Sequence, residues 1–433
     1  MDSIKDKKLN EKSARVLNVT LHGVTLSTRF LLIFFLAKYL DPTSVGYYGL
    51  FAAAVGYSVY FVGLDFYTYV TREVIKLPAE ERGQLIKSQA ALSAVLYFAL
   101  WPFAILFLYQ SGWPTQLMWW FFPILVLEHF NQEISRLLVA MSEQITGSVI
   151  LFIRQGSWAM AIVALMTWDD NTRNLQAVMA LWALGGAAAA SIGIWKLCRL
   201  GMGGWRAPVK WAWVKQGVHA SLAFLVATLA LRGMQTIDRY WLEALGGIEM
   251  VGAYVILFGV ASALTAFLDA GVFAFAYPTL IKLSHMQDHA AAKAKIRQML
   301  THTLFLSAAF ALCSWLALPY LLGWIGNPIY LAAQHWYPWL LLAMVLNALS
   351  MVPHFALYAR GKDKHIIYSH IGALLVFVAT VWLLGSVYGV LAVPLGLNVA
   401  FASILLWKTA AYWLVSTELC ASNIKPQVVK TNA

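Results

Sequence analysis

The 433-residue chain is 61% hydrophobic and only 12% charged, with a mean hydropathy of +0.67; soluble domains run at roughly 45–50% apolar and about 25% charged. A soluble protein of this composition would expose large apolar patches, whereas here the apolar residues come in blocks of about 20, the length of helix that crosses a bilayer. The net charge of +11 is carried mostly by short loops between the blocks, so it orients helices against a membrane and excludes nucleic acid as a partner.

In chain order, the polar, basic residues 1–15 precede an apolar stretch too long for a signal-peptide core and lacking a small-residue cleavage site, so that stretch stays as the first span. Twelve apolar blocks can be counted, at about 16–40, 46–70, 89–110, 117–139, 146–167, 175–197, 217–241, 250–274, 299–322, 333–358, 366–385 and 388–416. All read as helices, because open strands cannot satisfy their backbone in lipid and barrel strands would alternate apolar with polar residues. The expected fold class is all-α: a polytopic membrane protein with twelve transmembrane helices in two pseudo-symmetric six-helix lobes around a central cavity.

The two lobes follow from a repeat. VGYYGLF, starting at Val45, returns 206 residues later as VGAYVILF, starting at Val251. Gly46 then matches Gly252, Tyr48 matches Tyr254 and Lys76 matches Lys282, and each copy has a mid-helix arginine, Arg29 and Arg232, out of register by three residues, about one helical turn. Such parallel halves occur in transporters whose repeats are related by an axis along the membrane normal. The expected domains are 1–198 and 216–433, joined by a cytoplasmic amphipathic linker, residues 199–215, that is basic, rich in Gly and Trp, and suited to resting on the inner leaflet. Of the 31 Lys and Arg residues, 23 fall on one side, two (Lys38 and Arg173) on the other, and six within spans or at their edges. That asymmetry predicts both termini in the cytoplasm.

The run STRFLLIFFLAKYLDPTSVGYYGLF followed by GLDFYTYVTREVIK resembles the opening hairpin of the polysaccharide-export, O-antigen-type flippases of the multidrug/oligosaccharidyl-lipid/polysaccharide (MOP) superfamily. IDRYWLEALGGIEMVGAY resembles that family's seventh helix and following turn, and ALYARGKDKH the end of its tenth. The resemblance implies a two-lobed bundle in a bacterial inner membrane that moves an undecaprenyl-diphosphate-linked oligosaccharide outward by alternating access. A polysaccharide polymerase and a chain-length regulator are the protein partners it implies, beside the lipid-linked substrate and membrane lipid.

Three arginines, Arg29, Arg154 and Arg232, fall well inside apolar spans, where each costs about 2.5–3.5 kcal/mol even on the lenient insertion scale. A guanidinium keeps its charge and offers a planar fork of donors to phosphate, so three around a cavity would suit a diphosphate. The alternative is that each locks helices by pairing with a buried acid, Asp65, Asp238 or Asp269, the same acids that are candidates for gating pairs. In the fourth span Glu128, Gln132 and Arg136 recur every four residues, with His129 and Glu133 on the adjacent stripe. Glu128 is the candidate for ion coupling, while Glu133 and Arg136 read as an ordinary solvated pair near the cytoplasmic end.

Cys198, Cys313 and Cys420 lie far apart and read as filler, and the ten histidines show no metal spacing; His22, His219 and His302 read as hydrogen-bonded helix or cavity residues. No phosphate loop and no nucleophile–base–acid set is evident, so the expectation is a transporter rather than an enzyme, without a cofactor or bound metal beyond coupling to H⁺ or Na⁺. Three rivals remain: a cation-coupled multidrug or metabolite exporter of the same superfamily, disfavoured by cationic side chains in the cavity; a membrane-embedded polymerase or glycosyltransferase, disfavoured by short non-cytoplasmic loops; and a non-transporting scaffold, which would not need mid-span arginines.

Overall fold

A computed structural model describes the backbone of residues 2–424 and the side chains of 16–222 and 225–416. Twelve long helical stretches follow one another: α1 (Asp2–Tyr39), α2 (Pro42–Gly63), α3 (Ala79–Gln110), α4 (Thr115–Ala140), α5 (Gln144–Trp168), α6 (Leu175–Arg199), α7 (Trp211–Gly246), α8 (Ile248–His285), α9 (His289–Ile325), α10 (Pro328–Ala359), α11 (Asp363–Tyr388) and α12 (Ala392–Ile424). No strand occurs among the described residues.

Among the described residues nine helical stretches are long and apolar enough to cross a membrane, and α7 adds a tenth if its two bent segments form one span. One of the nine, Asp363–Ser416, takes in both α11 and α12. At 1.5 Å per residue it would be far too long for one crossing, and its two helices pack against each other across the short turn at Gly389–Leu391, so it is a hairpin. α4 is not among the nine, and it is the helix carrying Glu128, His129, Asn131, Gln132, Glu133 and Arg136.

The described packing separates two units, residues 1–243 with 247–256, and residues 244–246 with 257–433. In the first, α5 packs on α1, α4 and α6, and α4 also packs on α2. The connector after α6 is irregular and clamped to the start of α3: Gly83 N–H donates to Gly203 O at 2.9 Å, Gly203 N–H to Ala79 O at 3.0 Å, and Lys87 Nζ to Ala207 O at 3.0 Å. In the second unit α12 is the hub, lying against both α10 and α11, while α10 also meets α8 and α9.

Three interruptions shape the helices that carry charge. The second apolar block breaks after α2 because Leu64 and Asp65 both adopt left-handed backbone (φ 50° and 49°), a conformation that costs a branched residue energy and is tolerated better by Asp. A short helix, Tyr67–Val74, follows the break. α5 and α8 each contain a π-helical turn, Ile153–Ser157 and Asp269–Phe273, a feature frequent at functional sites.

The repeat is visible as contact within the first unit. A methyl group added to Gly46 would collide with the carbonyl oxygen of Ile248, and one added to Gly252 with that of Pro42; Gly49 meets Val255. Ile248 is 206 residues after Pro42, Gly252 the same distance after Gly46 and Val255 after Gly49, so each contact is answered by its counterpart. Reciprocity of this kind is the mark of a local two-fold relation, and the glycines let the two helix starts approach to backbone distance.

Candidate functional site

The first unit gathers the three span arginines and Glu128 on α1, α4, α5 and α7. The π turn of α5 supplies two polar side chains in succession. Arg154 is buried and places Nε 3.5 Å from Glu128 Oε2, with a second donation from its Nη1 to Glu128 O at 3.2 Å. The next residue, Gln155, accepts from Arg29 Nη1 at 3.0 Å. Two tryptophans wall the pair: Trp182 donates to Glu128 Oε1 and Trp158 to Arg154 O, both at 2.8 Å, and their rings stack at 5.4 Å and 7°. Asn131 fastens α4 to α6 by donating to Gly186 O at 2.8 Å.

Arg29 and Arg232 differ from Arg154. Both are exposed, and among the described residues no carboxylate lies within ion-pair distance of either. Arg29 reaches the Gln155 amide; Arg232 reaches the Gln235 amide at 3.4 Å and lies 5.7 Å from the centre of the Tyr60 ring. Arg154 lies within electrostatic reach of Arg29, Arg136 and Tyr60, so these groups share one region of the unit.

None of the three aspartates pairs with these arginines among the described residues. Asp65 is buried at the left-handed break, beside Tyr67 and within electrostatic reach of Glu133. Asp238 is fully buried and accepts from Tyr254 Oη at 2.5 Å, with Arg239 3.8 Å away, which ties α7 to the start of α8. Asp269 is exposed at the first position of the π turn in α8, in the second unit.

Glu133 and Arg136 are not an ordinary solvated pair. Their side chains are 14% and 27% exposed and 3.2 Å apart; Gln89 donates to Glu133 Oε2 at 2.5 Å, and the Arg136 guanidinium lies 3.5 Å from the centre of the Tyr67 ring. Buried His129 adjoins them, its Nδ1 3.1 Å from Tyr97 Oη. Their partners come from α3 and the short helix after α2, which the pattern along α4 cannot show. Of the three histidines singled out by sequence, His22 has a contact, Ser148 Oγ at 3.4 Å. No group of three metal-ligating side chains occurs among the described residues. Cys198 and Cys313 are free and exposed; Cys420 lies outside the described side chains.

Comparison with solved structures identifies the fold. An inward-facing multidrug resistance MATE family transporter of the MOP superfamily matches with a TM-score of 0.76 at 11% identity, covering 92% of this chain and 99% of that one. The Vibrio cholerae MATE transporter VcmN in its bent form gives 0.57 at 14% identity over 94% and 99% of the two chains. A MOP superfamily transporter from Pyrococcus furiosus, described as having a binding pocket of reverse polarity that suggests a different function, gives 0.59 at 10% identity over 94% and 95%. A scan of protein-family models finds no match, and a search of curated protein sequences finds none. The chain therefore has the all-α, multi-pass membrane fold of these transporters, with two lobes of six helices.

Proposed function

We propose that the chain is a flippase that carries an undecaprenyl-diphosphate-linked oligosaccharide across a bacterial inner membrane by alternating access, both termini being cytoplasmic, to feed surface-polysaccharide assembly. The observation that carries this reading is the state of Arg29 and Arg232: exposed, without a carboxylate, and inside apolar helices. Facing lipid, each would be costly, so both must border water, and a guanidinium that touches only amides and a ring retains its fork for an anion. A diphosphate on a lipid carrier is the anion that the opening hairpin's resemblance implies. Arg154 is compensated by Glu128, the coupling candidate of this unit.

The solved neighbours include transporters described as conferring multidrug resistance, and a cationic drug is the rival cargo. Uncompensated arginines repel a cation, and the Pyrococcus transporter's description shows that pocket polarity varies on this fold. A polymerase and a chain-length regulator would then be neighbours in the pathway.

Export of polymer in cells lacking their own flippase tests the reading. Arg29→Ala and Arg232→Ala should abolish export with normal membrane accumulation, and the Lys variants should restore it partly, since Lys keeps the charge and loses the fork. Recovery of export in a variant with both arginines and the nearby acids neutralised would overturn it. Reporter fusions after Gln287 and after Gly326 should report the inner and outer side respectively, and the reverse pattern would overturn the orientation.

A further inference from the structure

The second unit holds a charged cluster outside the arginine region. Lys408, on α12, is 1% exposed, deep in an apolar helix. Its Nζ lies 3.2 Å from Nδ1 of His354 on α10 and 3.1 Å from Nε2 of His370 on α11. The two imidazole rings lie nearly parallel, 14° apart, with centroids at 6.2 Å. Three helices thus each contribute one nitrogen base to a single point. His370 is buried like Lys408, and His354 is half-buried.

The three groups have a protonation state that satisfies both contacts. An ammonium has only donors, and a neutral imidazole has one acceptor nitrogen, so both short contacts are made when Lys408 is charged and both rings are neutral, with lone pairs on His354 Nδ1 and His370 Nε2. A second proton has nowhere to go without breaking a contact, because it would turn an acceptor into a donor facing an ammonium. The groups that face His354 electrostatically are Lys408 and His370. Farther along α10, Arg360 is engaged with Ser416 Oγ at 2.8 Å and the Tyr412 ring at 4.8 Å, and Tyr358 lies against Tyr277 of α8.

The surroundings are built to respond. Pro353, inside α10, immediately precedes His354, and a helix is weakest at an interior proline, where an amide hydrogen bond is missing. Phe355, immediately after it, packs on Phe273 of the π turn in α8 and on Tyr277. A displacement of His354 would therefore reach both the hub helix α12 and the π turn that begins at Asp269.

We propose that Lys408, His354 and His370 form a proton-binding site that clamps α10, α11 and α12 together with one proton and loosens them with two. The second proton passes from a water-borne acid to His354 Nδ1; the hydrogen bond from Lys408 Nζ to that nitrogen breaks, and the two adjacent cations repel. In the transporter reading, on which the use of this step rests, the site couples a proton to a movement of the second unit and is separate from Glu128.

The test needs no cargo, so it is independent of the flippase reading. Amide hydrogen–deuterium exchange of the full-length protein in lipid nanodiscs is followed by mass spectrometry in peptides from α10, α11 and α12 between about pH 8 and about pH 4, a range that extends well below the ordinary histidine pKa of about 6.5, after correction for intrinsic exchange rates. The wild type should lose protection in these peptides by about tenfold or more on acidification. Lys408→Met and His354→Gln should each flatten that dependence. Since Lys408→Met can misfold, the milder His354→Gln decides the matter in that event. A wild type without an acid-induced step, or a His354→Gln variant that keeps the wild-type step, would overturn the proposal.

Discussion

Arg29 and Arg232 in the first unit are exposed and touch amides and a ring, while Lys408 in the second unit is 1% exposed and fixed by two imidazoles. Both arrangements place a cation inside an apolar helix, and they meet its cost differently. An exposed cation without a counter-charge is solvated and available to a ligand; a buried one held by two bases has two of its three donors engaged within the protein. Arg154 forms a third kind, buried and paired with an acid. The position of a charge in an apolar run therefore says less about its role than its partners do.

If partners decide the role, Arg154 should behave as a structural residue where Arg29 does not. Arg154→Ala leaves Glu128, whose side chain is 13% exposed, with Trp182 as its remaining donor, and breaking a buried pair costs about 3–5 kcal/mol. Its membrane accumulation and thermal midpoint in detergent should fall sharply, and adding Glu128→Gln should recover much of both. Equal accumulation of Arg154→Ala and Arg29→Ala would erase the distinction.

A smaller effect tests the frame on which the first unit's site rests. Gly46→Val and Gly252→Val each push a side chain into the carbonyl of the other helix, at Ile248 and at Pro42. Overpacking of this kind costs typically 1–3 kcal/mol, and the reciprocal geometry predicts similar losses from the two substitutions. Thermal unfolding of the purified variants checks this; a loss confined to one of them would contradict the local two-fold.

The smallest effect lies outside the spans. Asp41 caps α2, accepting from Ser44 N–H at 2.9 Å and Ser44 Oγ at 2.7 Å. Burial raises its pKa, but the Ser44 hydroxyl and the backbone amides outweigh burial and hold it below the ordinary value. A carboxyl whose folded pKa is depressed stabilises fully above its unfolded value, about 4, and loses that contribution as pH falls through the folded value. Asp41→Ala should cost roughly 1 kcal/mol at neutral pH and nothing in strong acid, as read from thermal midpoints across pH.

Much of this was legible in the sequence. Twelve apolar blocks became twelve helices, and the matched glycines of the repeat meet each other. Arg29, Arg154 and Arg232 stood out because a lone charge in an apolar run is visible in one dimension. The pairing of Arg154 with Glu128 was not, since they lie 26 residues apart on different helices and a π turn sets the side-chain direction of Arg154. The Lys408 cluster was missed for a related reason. Its members are 16 and 38 residues apart on three helices, so no spacing motif links them. The signal that could have found it is the one applied to the arginines, a lysine alone in the apolar run of α12.

The central claim is that Arg29 and Arg232 bind a diphosphate, and equilibrium binding tests it most directly. The probe is a short-chain prenyl-diphosphate-linked disaccharide, titrated against the full-length protein in nanodiscs by calorimetry. Each charge-assisted contact contributes about 1.5–3 kcal/mol, so Arg29→Gln and Arg232→Gln should each weaken binding by about 10- to 150-fold, with the double variant showing no measurable binding. A double variant that binds the probe as tightly as the wild type would contradict the account.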